Sequence, residues 1–366
     1  MTDSSADDTS PLASRLGLGL AAIGRPAYIT VGRDDDLGQG ADRSIEGMRE
    51  RAHALLDAAW WLGVRYIDAA RSYGHAEEFL GSWLAAHPGR RDELTIGSKW
   101  GYEYVGDWRM DAEVHERKEH SLAMLERQWA ETVKALGTEP DVYLIHSLTP
   151  DSPALGDDAL LTRLAEIAEG GVRVGFSTSG PAQGEVLRTA LARPDLPFSA
   201  VQTTWNLLEQ SAGDALAAAN DARWLVVVKE TLANGRLTPR GNEPAAAALA
   251  AEDGQPLDGL AIGAAVSHAW ADIVLTGAVT RKQLRENLGA RVPALPEERL
   301  AELAEDPVQW GGAPPPGPGP CSFPLRARPV APCARPGGRL TYKPGAKRRG
   351  CGVRMGGDGC ARGGFV

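Results

Sequence analysis

The chain has 366 residues, of which 43% are hydrophobic and 24% are charged, close to the average for soluble globular proteins. These values exclude a fibrous fold and disorder throughout the chain, and no apolar run approaches the roughly 20 residues that cross a bilayer. The polar, acidic segment 1–11 lacks the basic and then apolar pattern of a secretory signal. We therefore expect a cytoplasmic protein that does not use a membrane as a partner.

The net charge of −9 is unevenly distributed along the chain. From Gly311 onward the sequence holds ten Lys and Arg residues and one acidic residue, so the rest of the chain is strongly acidic. An acidic surface argues against a nucleic-acid partner, because binding to phosphates requires a concentrated basic face. The basic segment 311–366 contains fourteen Gly and ten Pro and shows almost no aliphatic periodicity, which predicts disorder.

All four cysteines lie in this last segment, and their spacing includes no C-x-x-C pattern, so a zinc ribbon is not expected. The abrupt change of composition after Trp310 is typical of a shifted reading frame in a GC-rich gene, which we state as a hypothesis. The predicted organisation is a disordered N-terminus (1–11), one folded domain (12–310) and a disordered Gly/Pro-rich tail (311–366).

Short apolar runs alternate with longer segments of helical periodicity inside the folded domain. The segments 52–62 and 122–136 repeat apolar residues at the i, i+3, i+4, i+7 spacing of a helix with one buried face. Eight such alternations over about 300 residues predict an α/β fold, a closed (β/α)8 TIM barrel, with a doubly wound open sheet as the alternative. The predicted strands are Leu16–Leu20, Arg65–Ile67, Leu94–Ile96, Asp141–Ile145, Val172–Phe176, Ser199–Val201, Trp224–Val228 and Asp272–Leu275.

Four reactive side chains follow three successive predicted strands. Because chemistry in a barrel of this type lies at the carboxyl ends of the strands, we expect these side chains to converge on one pocket. They are Asp68 and Tyr73 after the second strand, Lys99 after the third and His146 after the fourth.

Together these residues suit the reduction of a carbonyl group. A lysine buried beside a phenol stabilises the phenolate, which predicts a lowered pKa for Tyr73, and Asp68 would keep Lys99 charged and oriented. Tyr73 would then donate a proton near neutral pH, while His146 would form a hydrogen bond with the oxygen that gains negative charge. The sequence offers no competing set of metal ligands.

The segments Tyr66–Gly74, Ser98–Trp100 and Leu144–Ser147 resemble the motifs of the aldo-keto reductase superfamily. The resemblance runs from about Arg15 to Leu303. It implies a (β/α)8 barrel with NADP(H) as cofactor and the four residues above as the catalytic tetrad. The implied activity is that of an oxidoreductase that reduces aldehyde, ketone or sugar carbonyls to alcohols, with hydride from the nicotinamide and a proton from Tyr73.

The resemblance also implies the cofactor contacts. Ser177 and Gln202 resemble the residues that bind the nicotinamide carboxamide, and the segment Leu275–Asn287 resembles the one around the adenosine phosphate. The residues implied to bind the cofactor are Ser177, Gln202, Gly277, Ala278, Arg281, Gln283 and Asn287.

A helix beginning near Thr280 would present free N–H groups and the positive end of its dipole to a phosphate. Arg281, Lys282 and Arg285 add positive charge, which favours NADP(H) over NAD(H). A solvated basic helix face would give the same pattern.

Two features depart from the family pattern. After the seventh predicted strand, where many relatives carry an aromatic residue or Ser near the nicotinamide, this chain has Val228, Lys229 and Glu230. Lys229 and Glu230 could pair with each other or face a polar substrate. Thr178 stands where Asn is common in the family.

The segment His115–His120 has the appearance of a metal-binding motif, but the spacing argues against it. Its two histidines are five residues apart, which on a helix places them on different faces, whereas zinc-binding pairs are four apart. We interpret the segment as a solvated run of charges.

Two other functions stay open at this level. One is a cofactor-binding sensor or accessory subunit with little turnover, similar to the reductase-like β subunits of potassium channels. The other is a Schiff-base aldolase that uses Lys99. The tetrad spacing and the phosphate-site segment favour the reductase, with a small carbonyl compound or alcohol as the binding partner. The sequence names neither the physiological substrate, nor the preferred direction, nor the oligomeric state.

Overall fold

Eight parallel strands form a closed barrel in the computed structural model, which describes residues 10, 12–26, 36–38, 40–109 and 112–308. The barrel strands are β1 (Leu16–Gly19), β2 (Tyr66–Asp68), β3 (Thr95–Trp100), β6 (Val142–Leu148), β7 (Arg173–Thr178), β8 (Ala200–Thr204), β9 (Leu225–Lys229) and β10 (Ile273–Thr276), and the strands β4 (Tyr102–Tyr104) and β5 (Glu116–Lys118) form an antiparallel hairpin. Around the barrel the order is β1–β10–β9–β8–β7–β6–β3–β2, and pairing of β1 with both β10 and β2 closes the sheet.

Each of the eight apolar runs predicted as strands overlaps one barrel strand. The predicted (β/α)8 barrel is therefore confirmed, and the doubly wound alternative is wrong. Apart from Ser10, the segments 1–11 and 311–366, which the sequence predicts to be disordered, lie outside the described residues. The boundaries of the folded domain, 12–310, stay a prediction.

Helices follow most of the barrel strands and cover the outer face of the sheet. None of those in the described part of the chain combines the length and the apolar character needed to cross a bilayer. The helices are α1 (Ile45–Trp61), α2 (Ala76–Ala86), α3 (Leu122–Leu136), α4 (Asp158–Glu169), α5 (Gln183–Leu191), α6 (Gly213–Asp221), α7 (Pro244–Asp253), α8 (Leu257–Ser267), α9 (Arg281–Leu288) and α10 (Glu297–Ala301), with short 3₁₀ turns at Pro88–Glu93, Pro153–Gly156 and Ala233–Gly235.

The apolar core has two parts. The larger part lies where helices pack on strands, and it contains the buried α1 side chains that the helical periodicity predicts. The smaller part fills the inside of the barrel, so that the barrel is a packed core rather than a pore. Its buried members are Tyr66, Val142, Leu144, Ala200, Val227 and Leu275.

Helix α3 buries a slightly different face from the one its apolar periodicity predicts. The helix begins after Ser121, whose hydroxyl accepts a hydrogen bond from a first-turn N–H group, and it ends at Gly137 with a φ of +73°. Trp129 is only half-buried, whereas Gln128 is fully buried. Gln128 is buried because its side-chain oxygen accepts the backbone N–H of Gly101 at 2.8 Å, directly after β3.

The close approach of α2 to α3 leads to a prediction about stability. A Cβ atom at Gly81 would lie 2.0 Å from the carbonyl oxygen of Ala135, so the backbone would have to move. Gly81→Ala should lower the free energy of unfolding by about 1–3 kcal/mol, measured by urea denaturation. Gly89→Ala is the matched control, since nothing lies within 4 Å of a Cβ atom there. Equal free energies of unfolding for the two variants would contradict the close packing of α2 against α3 at Gly81.

Candidate active site

A cavity of about 850 Å³ opens at the carboxyl ends of the barrel strands. Asp68, Tyr73 and His146 line one part of it, and Gly277 together with the first turn of α9 lines another. One continuous cavity therefore joins three of the predicted catalytic residues to the predicted cofactor segment. Its volume is within the range of small-molecule and cofactor sites.

A buried ion pair lies beneath this cavity. Lys99 Nζ lies 2.6 Å from Asp68 Oδ2 and 2.9 Å from the carbonyl oxygen of Ala69. The register of β2 on β3 pairs Asp68 with Gly97, two residues before Lys99, which brings the two side chains together. Gln202 on β8 donates a hydrogen bond to the other carboxylate oxygen of Asp68 at 2.8 Å. Burial lowers the pKa of Lys99, while the Asp68 carboxylate opposes this by favouring the charged form.

Tyr73 lies in the loop after β2, and its ring is close to both Lys99 and His146. Lys99 Nζ is 4.8 Å from the centroid of the phenol ring. The His146 ring meets the phenol edge-on, with centroids 5.5 Å apart. The next residue, Gly74, has a φ of +62°, and a Cβ atom there would lie 2.5 Å from the carbonyl oxygen of Gly24. This close contact fixes the Tyr73 loop against the loop that follows β1.

The ionisation of Tyr73 differs from the sequence prediction. Burial raises the pKa of Tyr73 well above its ordinary value, and the negative charges of Asp68 and Glu116 raise it further, while Arg25 opposes them. The predicted lowering of this pKa by Lys99 is therefore wrong for this structure. The reason is that Asp68 compensates the charge of Lys99 at 2.6 Å, which leaves burial as the dominant effect. Tyr73 consequently keeps its proton at neutral pH.

His146 is presented by an irregularity in β6. The register of β6 on β7 shifts between residues 145 and 148, and Ser147 has a φ of +55°. The hydroxyl of Ser177 accepts a hydrogen bond from the backbone N–H of Ser147 at 2.8 Å, which holds the bulge in place. The His146 ring is oriented by Ser72, whose Oγ lies 3.3 Å from Nδ1.

The imidazole of His146 is neutral in this environment. Burial lowers its pKa well below the ordinary value, and the positive charges of Lys99 and Lys229 lower it further. A neutral imidazole carries one donor and one acceptor nitrogen. The ring can therefore form a hydrogen bond with a substrate oxygen without adding a charge to the site.

Most of the residues implied to bind a cofactor face the cavity, but two do not. Ser177 is buried under the bulge described above, and Ser179, which the sequence analysis missed, lines the cavity instead. Arg281 donates a hydrogen bond to the carbonyl oxygen of Ala54 on α1 at 3.2 Å, and Arg285 is exposed. The implied residues that line the cavity are Gln202, Gly277, Ala278, Gln283 and Asn287.

The start of α9 is a capping box. The Thr280 hydroxyl accepts the N–H of Gln283 at 3.1 Å, and the Gln283 side-chain oxygen accepts the N–H of Thr280 at 3.2 Å. The box does not use the N–H groups of Arg281 and Lys282, at the positive end of the helix dipole. Lys282 lines the cavity and lies 2.7 Å from Glu286. This turn can thus offer N–H donors and an ammonium group to an anion.

Two ion pairs in the cavity wall complete the site. Lys229 Nζ lies 2.9 Å from Glu230 Oε1, so these neighbours do pair with each other. Arg25 Nη1 lies 3.2 Å from Glu116 Oε1, and both residues line the cavity. The sequence analysis missed Glu116 as a site residue, because a strand of only three residues gives no readable alternation. Its position in the long segment after the third strand was the one available signal.

His120 is buried, so its assignment to a solvated charge run is wrong. The segment forms the hairpin strand β5 and not a helix, and His120, just beyond it, is 5% exposed. Its Nε2 lies 2.8 Å from the carbonyl oxygen of His146, and its Nδ1 lies 2.7 Å from Ser152 Oγ. Because a carbonyl oxygen only accepts, Nε2 carries the proton. Within the described ranges no group of three or more His, Cys, Asp or Glu residues is placed to hold a metal ion.

Comparisons with known proteins agree on one family. The profile of the aldo/keto reductase family matches residues 37–305. Pyridoxal 4-dehydrogenase from Microbacterium luteolum is 26% identical, over 80% of this chain and 93% of that protein. D-threo-aldose 1-dehydrogenase from a Pseudomonas species is 25% identical, over 81% of this chain and 97% of that protein. Among solved structures, the holo form of an aldo-keto reductase from Bacillus halodurans is similar with a TM-score of 0.59 at 21% identity, over 82% and 95% of the two chains, which shows a shared fold.

The buried His120 leads to a prediction about pH dependence. Burial lowers its pKa to about 4, below the ordinary value near 6.5. As the pH falls the unfolded chain takes up this proton first, so the contribution to stability is complete above about pH 7 and is lost between about pH 6.5 and 4. We expect the free energy of unfolding, measured by urea denaturation, to fall between about pH 7 and pH 5 by about 2 kcal/mol less in His120→Gln than in the wild type. His75→Gln, which replaces a half-exposed ring, should behave like the wild type, and an identical pH dependence of all three proteins would contradict the assignment.

Proposed function

The chain belongs to the aldo/keto reductase family, and we propose that it interconverts aldehyde, ketone or sugar carbonyls and the corresponding alcohols with NADP(H) as its cofactor. The observation that carries the proposal is the convergence of one phenol, one buried ion pair and one neutral imidazole at the cavity. These groups are Tyr73, Lys99 with Asp68, and His146.

In the direction of reduction Tyr73 is the proton donor. Its raised pKa keeps the phenol protonated at neutral pH, so a proton is available when negative charge develops on a carbonyl oxygen beside it. The Lys99 ammonium, 4.8 Å from the ring centroid, stabilises the phenolate that remains. His146 donates a second hydrogen bond to the same oxygen. In the direction of oxidation the phenolate accepts the proton of the alcohol.

The other part of the cavity fits a phosphorylated dinucleotide. It provides the N–H groups and the Lys282 ammonium at the start of α9. A Cβ atom built on Gly277 would meet no described residue within 4 Å, so the described wall leaves space there. A bound nicotinamide cofactor would supply hydride to the carbonyl carbon or accept it from the alcohol carbon. The Lys282 ammonium together with these N–H groups favours the additional phosphate of NADP(H), while Glu286, 2.7 Å from Lys282, offsets part of that positive charge.

The two rival functions find less support. Lys99 is fully buried and donates hydrogen bonds to both Asp68 and the Ala69 carbonyl, so its amine is not available for a Schiff base with a substrate. The two related enzymes are named as dehydrogenases of pyridoxal and of a D-threo-aldose. Their names support turnover of small carbonyl compounds or alcohols over a role as a cofactor-binding sensor.

Removal of the Tyr73 hydroxyl tests the proposal. We expect Tyr73→Phe to lower kcat for the reduction of 4-nitrobenzaldehyde and of glyceraldehyde by about 100-fold or more, followed by the loss of NADPH absorbance. NADPH binding, followed by its fluorescence, should stay unchanged. Tyr66→Phe is the matched control, because this phenol is buried inside the barrel and its hydroxyl has no hydrogen-bond partner among the residues that the structure describes.

Turnover that survives in Tyr73→Phe would contradict the proton-donor role. Tight binding of NADPH to the wild type without turnover of any aldehyde would support the sensor instead. A lower KM for NADH than for NADPH would contradict the proposed cofactor preference.

A further inference from the structure

The part of the cavity around Tyr73 is bordered by the Arg25–Glu116 ion pair. Arg25 comes from the loop after β1 and Glu116 from the start of β5, two elements far apart in the sequence. Their side chains are 11% and 27% exposed, so the pair is largely shielded from bulk solvent. The Arg25 guanidinium carbon lies 5.8 Å from the centroid of the Tyr73 ring.

The backbone holds this pair rigidly next to the proton donor. A Cβ atom at Gly24 would lie 2.3 Å from the carbonyl oxygen of Tyr73, and the N–H of His75 donates to the carbonyl oxygen of Gly24 at 2.8 Å. Arg25 therefore directly follows the residue at which the two loops contact each other. On the other side, the hairpin register pairs Glu116 with Tyr104. On both sides, backbone contacts among the described residues set the position of the pair.

A second ion pair borders the cavity beyond His146. Lys229 bonds to both Glu230 and Thr204, and Thr204 in turn donates to Glu230 at 2.8 Å. The charges of both pairs reach the reacting groups. Glu116, Arg25 and Glu230 act on the pKa of Tyr73 in addition to its burial and Asp68.

The charges in this wall balance, which limits what the wall can recognise. Each pair joins one cation to one carboxylate, so neither pair adds a net charge that would attract an anion to this part of the cavity. Each pair still presents strong hydrogen-bond donors and acceptors to the cavity. A ligand that displaces water from these groups binds well only if it forms equivalent hydrogen bonds with them. An apolar chain placed here would leave polar groups unsatisfied.

In the described part of the chain, no tryptophan side chain lines the cavity around Tyr73. Trp100 and Trp205 are buried, and Trp108 packs against His75 and donates to a backbone carbonyl, so none of the three tryptophans nearest the strand ends lines the cavity. The described wall near Tyr73 therefore combines the two ion pairs with small apolar side chains such as Ala21 and Ala22.

We propose that the Arg25–Glu116 pair is the substrate-recognition element of the site, and that it selects uncharged carbonyl compounds with hydroxyl groups next to the carbonyl over apolar aldehydes and over carboxylates. Glu116 accepts hydrogen bonds from substrate hydroxyl groups, and Arg25 donates to their oxygens. This inference rests on the proposed function for the identity of the reacting group, but recognition itself can be measured as binding.

Ligand binding to the full-length protein tests the proposal without any turnover. Dissociation constants for xylitol, 1-pentanol and pentanoate, five-carbon compounds with many hydroxyl groups, one hydroxyl group and a carboxylate, can be titrated by saturation-transfer difference NMR. The wild type should bind xylitol about tenfold or more tightly than the other two. Glu116→Ala should weaken xylitol binding by about tenfold, whereas Glu103→Ala should not. Glu103 lies on the same hairpin and pairs with Arg127 at 3.0 Å, and it is not among the residues that line the cavity.

Glu116→Gln keeps the size of the side chain and guards against a folding defect in the alanine variant. Because it removes one negative charge from this wall, pentanoate should bind this variant about fivefold or more tightly than the wild type. Equal binding of xylitol and 1-pentanol to the wild type, or xylitol binding that is unchanged in Glu116→Ala, would overturn the proposal. Loss of turnover in Tyr73→Phe concerns the proposed reaction and does not enter these binding measurements, so the two can fail separately.

Discussion

The buried contact between Lys99 and Asp68 is the interaction on which the rest of the site depends. Neither charge could remain in the barrel alone, because removing one member of a buried ion pair leaves an uncompensated charge that costs about 3–5 kcal/mol. The contact joins neighbouring strands, and Gln202 adds a third strand through its hydrogen bond to Asp68. Lys99 also bonds to the carbonyl oxygen of Ala69, at the beginning of the loop that carries Tyr73. The same pair therefore orders the loop and sets the charge beneath the phenol.

Compensation of charge explains why the phenol is protonated at rest. A free lysine ammonium near the ring would favour the phenolate, but Asp68 offsets it and burial decides the outcome. The environment of Tyr73 therefore favours the protonated phenol, and the Lys99 ammonium offsets only part of the cost of forming the phenolate. Two residues at the rim have a left-handed backbone conformation. Ser147 and Glu230 have positive φ values of 55° and 58°, and hydrogen bonds from Ser147 to Ser177 and from Asn206 to Glu230 hold them there.

The sequence was sufficient to predict the barrel and the convergence of the four candidate residues at the carboxyl ends of its strands. Parallel strands buried on both faces give continuous apolar runs, and the residue after each run must lie at the rim, which is why Asp68, Lys99 and His146 could be placed. What the sequence could not predict depends on contacts between distant segments. The hairpin strands are only three residues long and show no alternation of apolar and polar residues. The sequence therefore did not predict the burial of His120 or the position of Glu116. The direction of the Tyr73 pKa shift depends first on the burial of the phenol and then on the nearby carboxylates of Asp68 and Glu116, and the spacing of residues in the sequence encodes neither.

The most direct test of this account is the pH dependence of alcohol oxidation in Lys99→Met compared with the wild type, measured as single-turnover rates with bound NADP⁺. If the Lys99 charge stabilises the Tyr73 phenolate, the rise of the rate with pH should move upward by about one pH unit or more in the variant. The rate at neutral pH should fall by about tenfold or more, since one unit of pKa is a factor of ten in the fraction of phenolate. A pH profile that keeps its midpoint in Lys99→Met would contradict the account, because the phenolate would then not depend on the buried ion pair.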